Sequence, residues 1–275
     1  MSDRSLEALG LHDVPALQPL TYPGRPVREP VLLSGRDVLP LRVTGERVGA
    51  WPVASGGSLQ ERALDQVLED LGDAPTRERY PVIAVGSNAS PAQVSYKLQR
   101  AGGLSRAVPM VPVKISGIGV GLSAHISRAG YVSASPYASD ARDTTLVVSW
   151  LDEAQLAAVD ATEFPNYGRA LLPGDGFPMV LPNGWRLEGA YLYFNTRGLL
   201  AHPDGTLRAP APQPDVLRAL LRESAPLRDL LGPDPESWVA RAAADPRRCA
   251  AGTAVFEEEG WLLRETRFSG YAVAG

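Results

Sequence analysis

The stretch from Val108 to Leu151 most constrains what this chain can fold into. "VPMVPVKISGIGVGLSAH", "GYVSASPYAS" and "DTTLVVSWL" alternate β-branched and small residues and are broken by Gly, Pro or Ser every few positions. An amphipathic helix needs an unbroken 3.6-residue period, which these breaks deny. The middle of the chain therefore predicts sheet, not a helix bundle. With 275 residues, 44% of them hydrophobic, the chain can bury a full core. Its single cysteine, Cys249, excludes an internal disulfide and any CxxC metal or redox site, and reads as a small buried residue. The fold must hold by packing.

Helical signals flank the sheet. "SLQERALDQVLEDLG" has Ser58 as a cap, Glu61 three residues later, apolar residues from Leu59 to Leu71 at helical spacing, and Gly72 as a stop. "PVIAVGSN" reads as a buried strand over Val82 to Val85. "SPAQVSYKLQRAGG" then reads as a helix with Ser90 at its cap, Pro91 at its first position and Gly102 ending it. A further helix runs from about Asp152 to Thr162 and must finish near Glu163, because the residue before Pro165 is steered out of the helical region. Short strands are expected at Val31 to Leu33 and Leu39 to Val43. Asn183-Gly184 marks a hairpin. Beyond the Pro-rich joint Ala209 to Pro214, helices are expected over Asp215 to Leu231 and Pro235 to about Asp245, then strand, turn and strand from Gly252 onward. These signals give an α+β chain in three parts: an N-terminal extension over 1–79, a core over 80–208, and a C-terminal addition over 209–275 packed on that core.

Several function classes are disfavoured. A net charge of −4 with 27 scattered Lys and Arg leaves no footprint for nucleic acid. No apolar run approaches the roughly 20 residues that span a bilayer, and the start lacks the build of a signal peptide, so a cytoplasmic protein with no membrane partner is expected. His12, His125 and His202 are far apart in the sequence and form no HxxxH or HExxH pair, so no metal is expected. The loop has no GxxxxGK[ST], GxGxxG or GxSxG pattern, which disfavours nucleotide binding and serine hydrolysis.

Two stretches carry chemistry. In "AVGSNAS", Gly86, Ser87 and Asn88 join a buried strand to a helix N-terminus, where unpaired N–H groups can converge on a carboxylate, a phosphate or an oxyanion. The same three residues also suit an ordinary turn. In "LAAVDATEFPNY", Asp160 and Glu163 share a helix face, and Glu163 sits at the negative end of the helix. Both effects favour its protonated form and move it toward proton transfer.

These stretches, "AVGSNAS" and "VDATEFPNYGRALL", together resemble the gamma-glutamylcyclotransferase-like family over about Pro81 to Phe194. The resemblance implies a small mixed β-barrel flanked by helices, and a pocket needing no cofactor. In that pocket the loop residues Gly86, Ser87, Asn88 and Ala89 hold a gamma-glutamyl group and Glu163 acts as base. The substrate's α-amine attacks its γ-carbonyl, closing 5-oxoproline and releasing an amine or peptide. Val85 stands where the family usually has tyrosine, and Ala89 where leucine is common, which predicts a missing aromatic wall and hydroxyl. His125, Ser127, Arg128 and Tyr131 are candidates for the same pocket, His125 and Ser127 lying on one side of a regular strand. Tyr167 and Arg169 can clamp a substrate carboxylate or brace the loop. Two other readings stay open: a related enzyme acting on a different amide or acyl group, and a non-catalytic small-molecule-binding or scaffold protein.

Overall fold

The computed structural model describes residues 3–54, 61–140 and 143–273. The N-terminal part contributes β1 (Val31–Ser34), β2 (Asp37–Pro40), β3 (Pro52–Val53), β4 (Arg62–Ala63) and α1 (Leu64–Asp70). Then follow β5 (Tyr80–Ala84), α2 (Pro91–Ala101), β6 (Ala107–Ile115), β7 (Ile118–Ile126), β8 (Val132–Ala138), β9 (Thr144–Leu151) and α3 (Glu153–Glu163). The chain continues with β10 (Tyr167–Pro173), β11 (Met179–Val180), β12 (Gly189–Asn195) and β13 (Leu199–Leu200). It closes with α4 (Gln213–Glu223), α5 (Ala225–Leu231), α6 (Pro235–Ala244), α7 (Arg247–Glu258) and β14 (Leu262–Leu263).

The larger sheet runs β10-β12-β5-β9-β6-β1-β2, with β11 added on β6. Its pairs are antiparallel except β12 with β5, where Tyr191 faces Val82. Successive strand residues point to opposite faces, and both faces are buried. Ile83, Val111, Val113 and Val148 enter one core with Trp51 and Phe177, while Val82, Ala84, Met110 and Val147 enter another beneath α2 and α3. That is why β6 reads as a nearly continuous apolar run. The chain then turns at Gly117 (φ +87°) and leaves this sheet. β7 and β8 form a second sheet, ordered β14-β13-β7-β8, whose core is closed by α4 to α7 through Leu217, Trp238 and Phe256.

The fold is thus mixed α+β, but the expected barrel is not formed. Among the described residues each sheet remains open and buries its apolar faces against helices and loops rather than joining its own edges. Other boundaries also move. α1 starts at Leu64 because Arg62 and Ala63 pair with Val53 and Pro52; the proposed cap Ser58 and Leu59 lie outside the described residues. β2 starts two residues earlier than expected, through a two-residue turn at Gly35-Arg36. The Asn183-Gly184 turn forms, with Leu181 N–H on the Trp185 carbonyl, yet β12 pairs with β10 and β5 while β11 pairs with β6. The helix expected over Asp215 to Leu231 is two, divided at Ser224, whose hydroxyl caps the Leu227 N–H. The predicted strand from Gly252 is instead α7, since Cys249, Gly252, Val255 and Phe256 recur every three or four residues and all face the core.

No helix among the described residues is long and apolar enough to cross a membrane.

Candidate functional site

β5 delivers the chain into a single 3-10 turn, Ser87–Ala89, ahead of α2. The negative φ of Gly86, −120°, does not by itself demand glycine. Space does: a Cβ there would lie 2.2 Å from the Tyr22 hydroxyl. The turn uses the Ala89 N–H on the Gly86 carbonyl and the Ser90 N–H on the Ser87 carbonyl, both at 3.0 Å. The N–H groups of Gly86, Ser87 and Asn88 have no acceptor among the described residues. Ser90 occupies the helix cap position without making the capping bond, and its buried hydroxyl has no partner among the described residues.

Glu163 is the last residue of α3, opposite this turn. Its Oε1 accepts from Lys97 Nζ at 2.7 Å and from Asn88 Nδ2 at 3.0 Å, and Lys97 Nζ also donates to Asn88 Oδ1 at 2.8 Å. The three side chains close a ring that fixes one carboxylate oxygen. Oε2 has no hydrogen-bond donor among the described residues, so the second oxygen is open for chemistry. The charge environment expected from sequence, a helix end and Asp160, is joined by one of opposite sign, the Lys97 ammonium. Asp160 has its own partners: Arg169, and the Tyr193 hydroxyl at 2.6 Å.

Glu163, Lys97 and the turn line one cavity of about 760 Å³. Its aromatic walls come from elsewhere than position 85. Tyr22, from the N-terminal extension, stacks on Tyr131 with ring centroids 4.4 Å apart and accepts the Ala134 N–H at 2.7 Å. Tyr167 completes the lining. Burial is the leading cause that raises all three phenols, Tyr131 to about 12, so each keeps its proton at neutral pH. Val85 therefore does not leave the site without aromatic walls or hydroxyls.

His125 also borders the cavity, with Nδ1 on the Ser123 hydroxyl. Burial, then the positive charge of Arg197, lowers it to about 4, so it is neutral at pH 7. Ser127 and Arg128 lie on the same lining.

Of the residues singled out from sequence, Gly86, Ser87, Asn88, His125, Glu163 and Tyr167 converge here. Ala89 does not border the cavity; it is buried in the core beneath α2. Arg169 is held by Asp160, with its guanidinium 4.9 Å from the Tyr191 ring centre, and is not part of the lining. Sequence reasoning missed Lys97 and Tyr22. The polar residues Gln93, Lys97 and Arg100 recur at i, i+4 and i+7 along α2, a stripe that marks one helix face, and all three border the cavity. No sequence signal points to Tyr22.

No protein-family model matches the chain, and no curated protein matches it. Among solved structures, the solution structure of one Arabidopsis thaliana protein is 19% identical, covering 42% of this chain and 61% of its own, with a TM-score of 0.32. A second from Arabidopsis thaliana is 16% identical over 53% of this chain and 85% of its own, TM-score 0.35. A gamma-glutamyl cyclotransferase is 14% identical over 53% of this chain and 78% of its own, TM-score 0.34. The chain thus spans about three fifths of the first of these and more of the others. Likenesses at such TM-scores do not assign a function.

Proposed function

We propose that the cavity binds a small molecule bearing a gamma-glutamyl-type amide and cyclises its glutamyl part to 5-oxoproline without a cofactor, with Glu163 as general base. The observation that carries this reading is the division of the Glu163 carboxylate: Oε1 is tied to Lys97 and Asn88, while among the described residues Oε2 has no donor and three N–H groups of the adjoining turn have no acceptor. A base must be held in place and still have a free lone pair.

In this mechanism the substrate's α-amine attacks its γ-carbonyl carbon, forming the ring C–N bond, and Glu163 Oε2 takes the proton that the amine loses. The carbonyl oxygen becomes an oxyanion held by N–H groups of the Gly86–Asn88 turn. Collapse breaks the original amide C–N bond, and Glu163 returns its proton to the departing amine. The pairing with Lys97 keeps Glu163 in place as its charge comes and goes.

The test incubates the protein and its Glu163→Gln variant with gamma-glutamyl amines and dipeptides and follows 5-oxoproline by mass spectrometry. The wild type is expected to form it, and the variant to be slower by about 10²- to 10⁴-fold. Equal rates would remove Glu163 as base. Saturable binding without turnover, unchanged by Glu163→Gln, would favour a binding protein.

A further inference from the structure

A chain of buried polar groups ends on the cavity. Asn195, at the end of β12, accepts the Arg197 N–H on Oδ1 at 2.7 Å, which fixes the orientation of its amide. Its Nδ2 donates to the Gly198 carbonyl at 2.7 Å and to the Ser123 hydroxyl oxygen. Ser123, wholly buried on β7, contacts Nδ1 of His125 two residues along the same strand face.

A serine hydroxyl has two lone pairs and one proton. Asn195 fills one lone pair of Ser123, and His125 Nδ1 is the one acceptor that its buried proton meets among the described residues, so that proton points to His125. A neutral imidazole that accepts at Nδ1 carries its hydrogen on Nε2. His125 Nε2 has no partner among the described residues, although the residue is 5% exposed and borders the cavity. We infer that the Asn195–Ser123–His125 relay fixes His125 as an uncharged Nε2–H donor at the cavity wall, and that this donor binds a carbonyl or carboxylate oxygen of the ligand. Such a donor serves any acyl or amide ligand, whether or not Glu163 acts as a base.

A neutral donor binds a carbonyl oxygen without adding to the charges of Lys97, Arg100, Arg128 and Glu163 on the same lining. Asn195 and Ser123 act through His125, so they are positioning residues.

The relay is tested in the free protein, which separates its failure from failure of the cyclotransferase reading. Long-range ¹H–¹⁵N NMR of the full-length ¹⁵N-labelled chain reports which ring nitrogen carries hydrogen, and loss of signals in His125→Gln assigns them among the three histidines. At pH 7 a single tautomer is expected, protonated at Nε2. Ser123→Ala is expected to turn it into a mixture. Asn195→Asp, which replaces the donor by an acceptor, is expected to reverse the relay and move hydrogen to Nδ1. Adding acetamide, acetate or 5-oxoproline is expected to shift the wild-type Nε2–H resonance. A wild-type ring protonated at Nδ1, a tautomer unaffected by both substitutions, or an Nε2–H that responds to none of the three probes would each overturn the proposal.

Discussion

Tyr22 and Gly86 meet where two distant parts of the sequence share one small volume. The missing Cβ of Gly86 leaves room for the Tyr22 hydroxyl. Gly86→Ala is expected to destabilise the fold by about 1–3 kcal/mol, in the range for forcing an extra carbon into a packed site. Because the hydroxyl is the closest atom and the ring carbon behind it is 3.3 Å away, Gly86→Ala combined with Tyr22→Phe should cost less than the sum of the two single changes. Urea denaturation of the four proteins measures this; strict additivity would contradict the contact. The glycine was legible in the sequence, but its reason was not: a turn signal is local, whereas Tyr22 lies 64 positions away in number and announces nothing about where it folds. His125 gives a second test at this scale. It faces Arg197, Glu163 and Tyr167, and its folded-state value of about 4 lies below its ordinary value near 6.5. As pH falls, the unfolded chain binds the proton first. Its contribution to stability is therefore intact above pH ~6.5 and is lost toward pH ~4, by about 3 kcal/mol at most. Unfolding midpoints at pH 7 and pH 4.5 should fall further for the wild type than for His125→Gln. Equal falls would contradict the buried neutral ring.

α3 carries Glu163, and its position depends on Gln155 at its other end. Gln155 completes a capping box with Asp152, accepts from Arg79, and donates to the carbonyls of Ser105 and Ala107. Arg79 in turn donates to the carbonyls of Ala74, Ala107 and Trp150. One amide thereby ties the start of α3 to the start of β6. Gln155→Ala removes the bonds of the side-chain amide, to the Asp152 N–H, Arg79 and the two carbonyls, and is expected to cost about 2–4 kcal/mol, read from the shift in urea midpoint at unchanged slope. A loss under about half a kcal/mol would mean the amide is not what anchors the helix. The extent of α3 followed from Asp152 and Pro165 in the sequence, because caps and proline act locally. The C-terminal helices were harder to read. "VFEEEGWLL" has the composition of a strand and turn, and only the Cys249–Gly252–Val255–Phe256 spacing, seen packed against β7, settles α7 as a helix.

At the scale of the molecule, the cavity is assembled from parts that no single segment contains. The extension supplies Tyr22, β5 and α2 the turn and Lys97, and α3 the carboxylate. Tyr131 is positioned by a turn whose Gly130 carbonyl accepts the Trp238 indole N–H of α6 at 2.8 Å. The α+β class could be read from alternation and punctuation. Barrel closure could not, because it depends on what covers the sheet faces, and among the described residues four C-terminal helices pack on the second sheet. In the proposed reaction the ligand's own α-amine is the nucleophile and Glu163 its base. The measurement that tests it most directly pairs a gamma-glutamyl substrate with the same compound acetylated on its α-amine, with products identified by mass spectrometry. 5-Oxoproline is expected from the free amine, with no cleavage of the blocked compound. Release of glutamate from the first and N-acetylglutamate from the second would show that water attacks instead, and would contradict it.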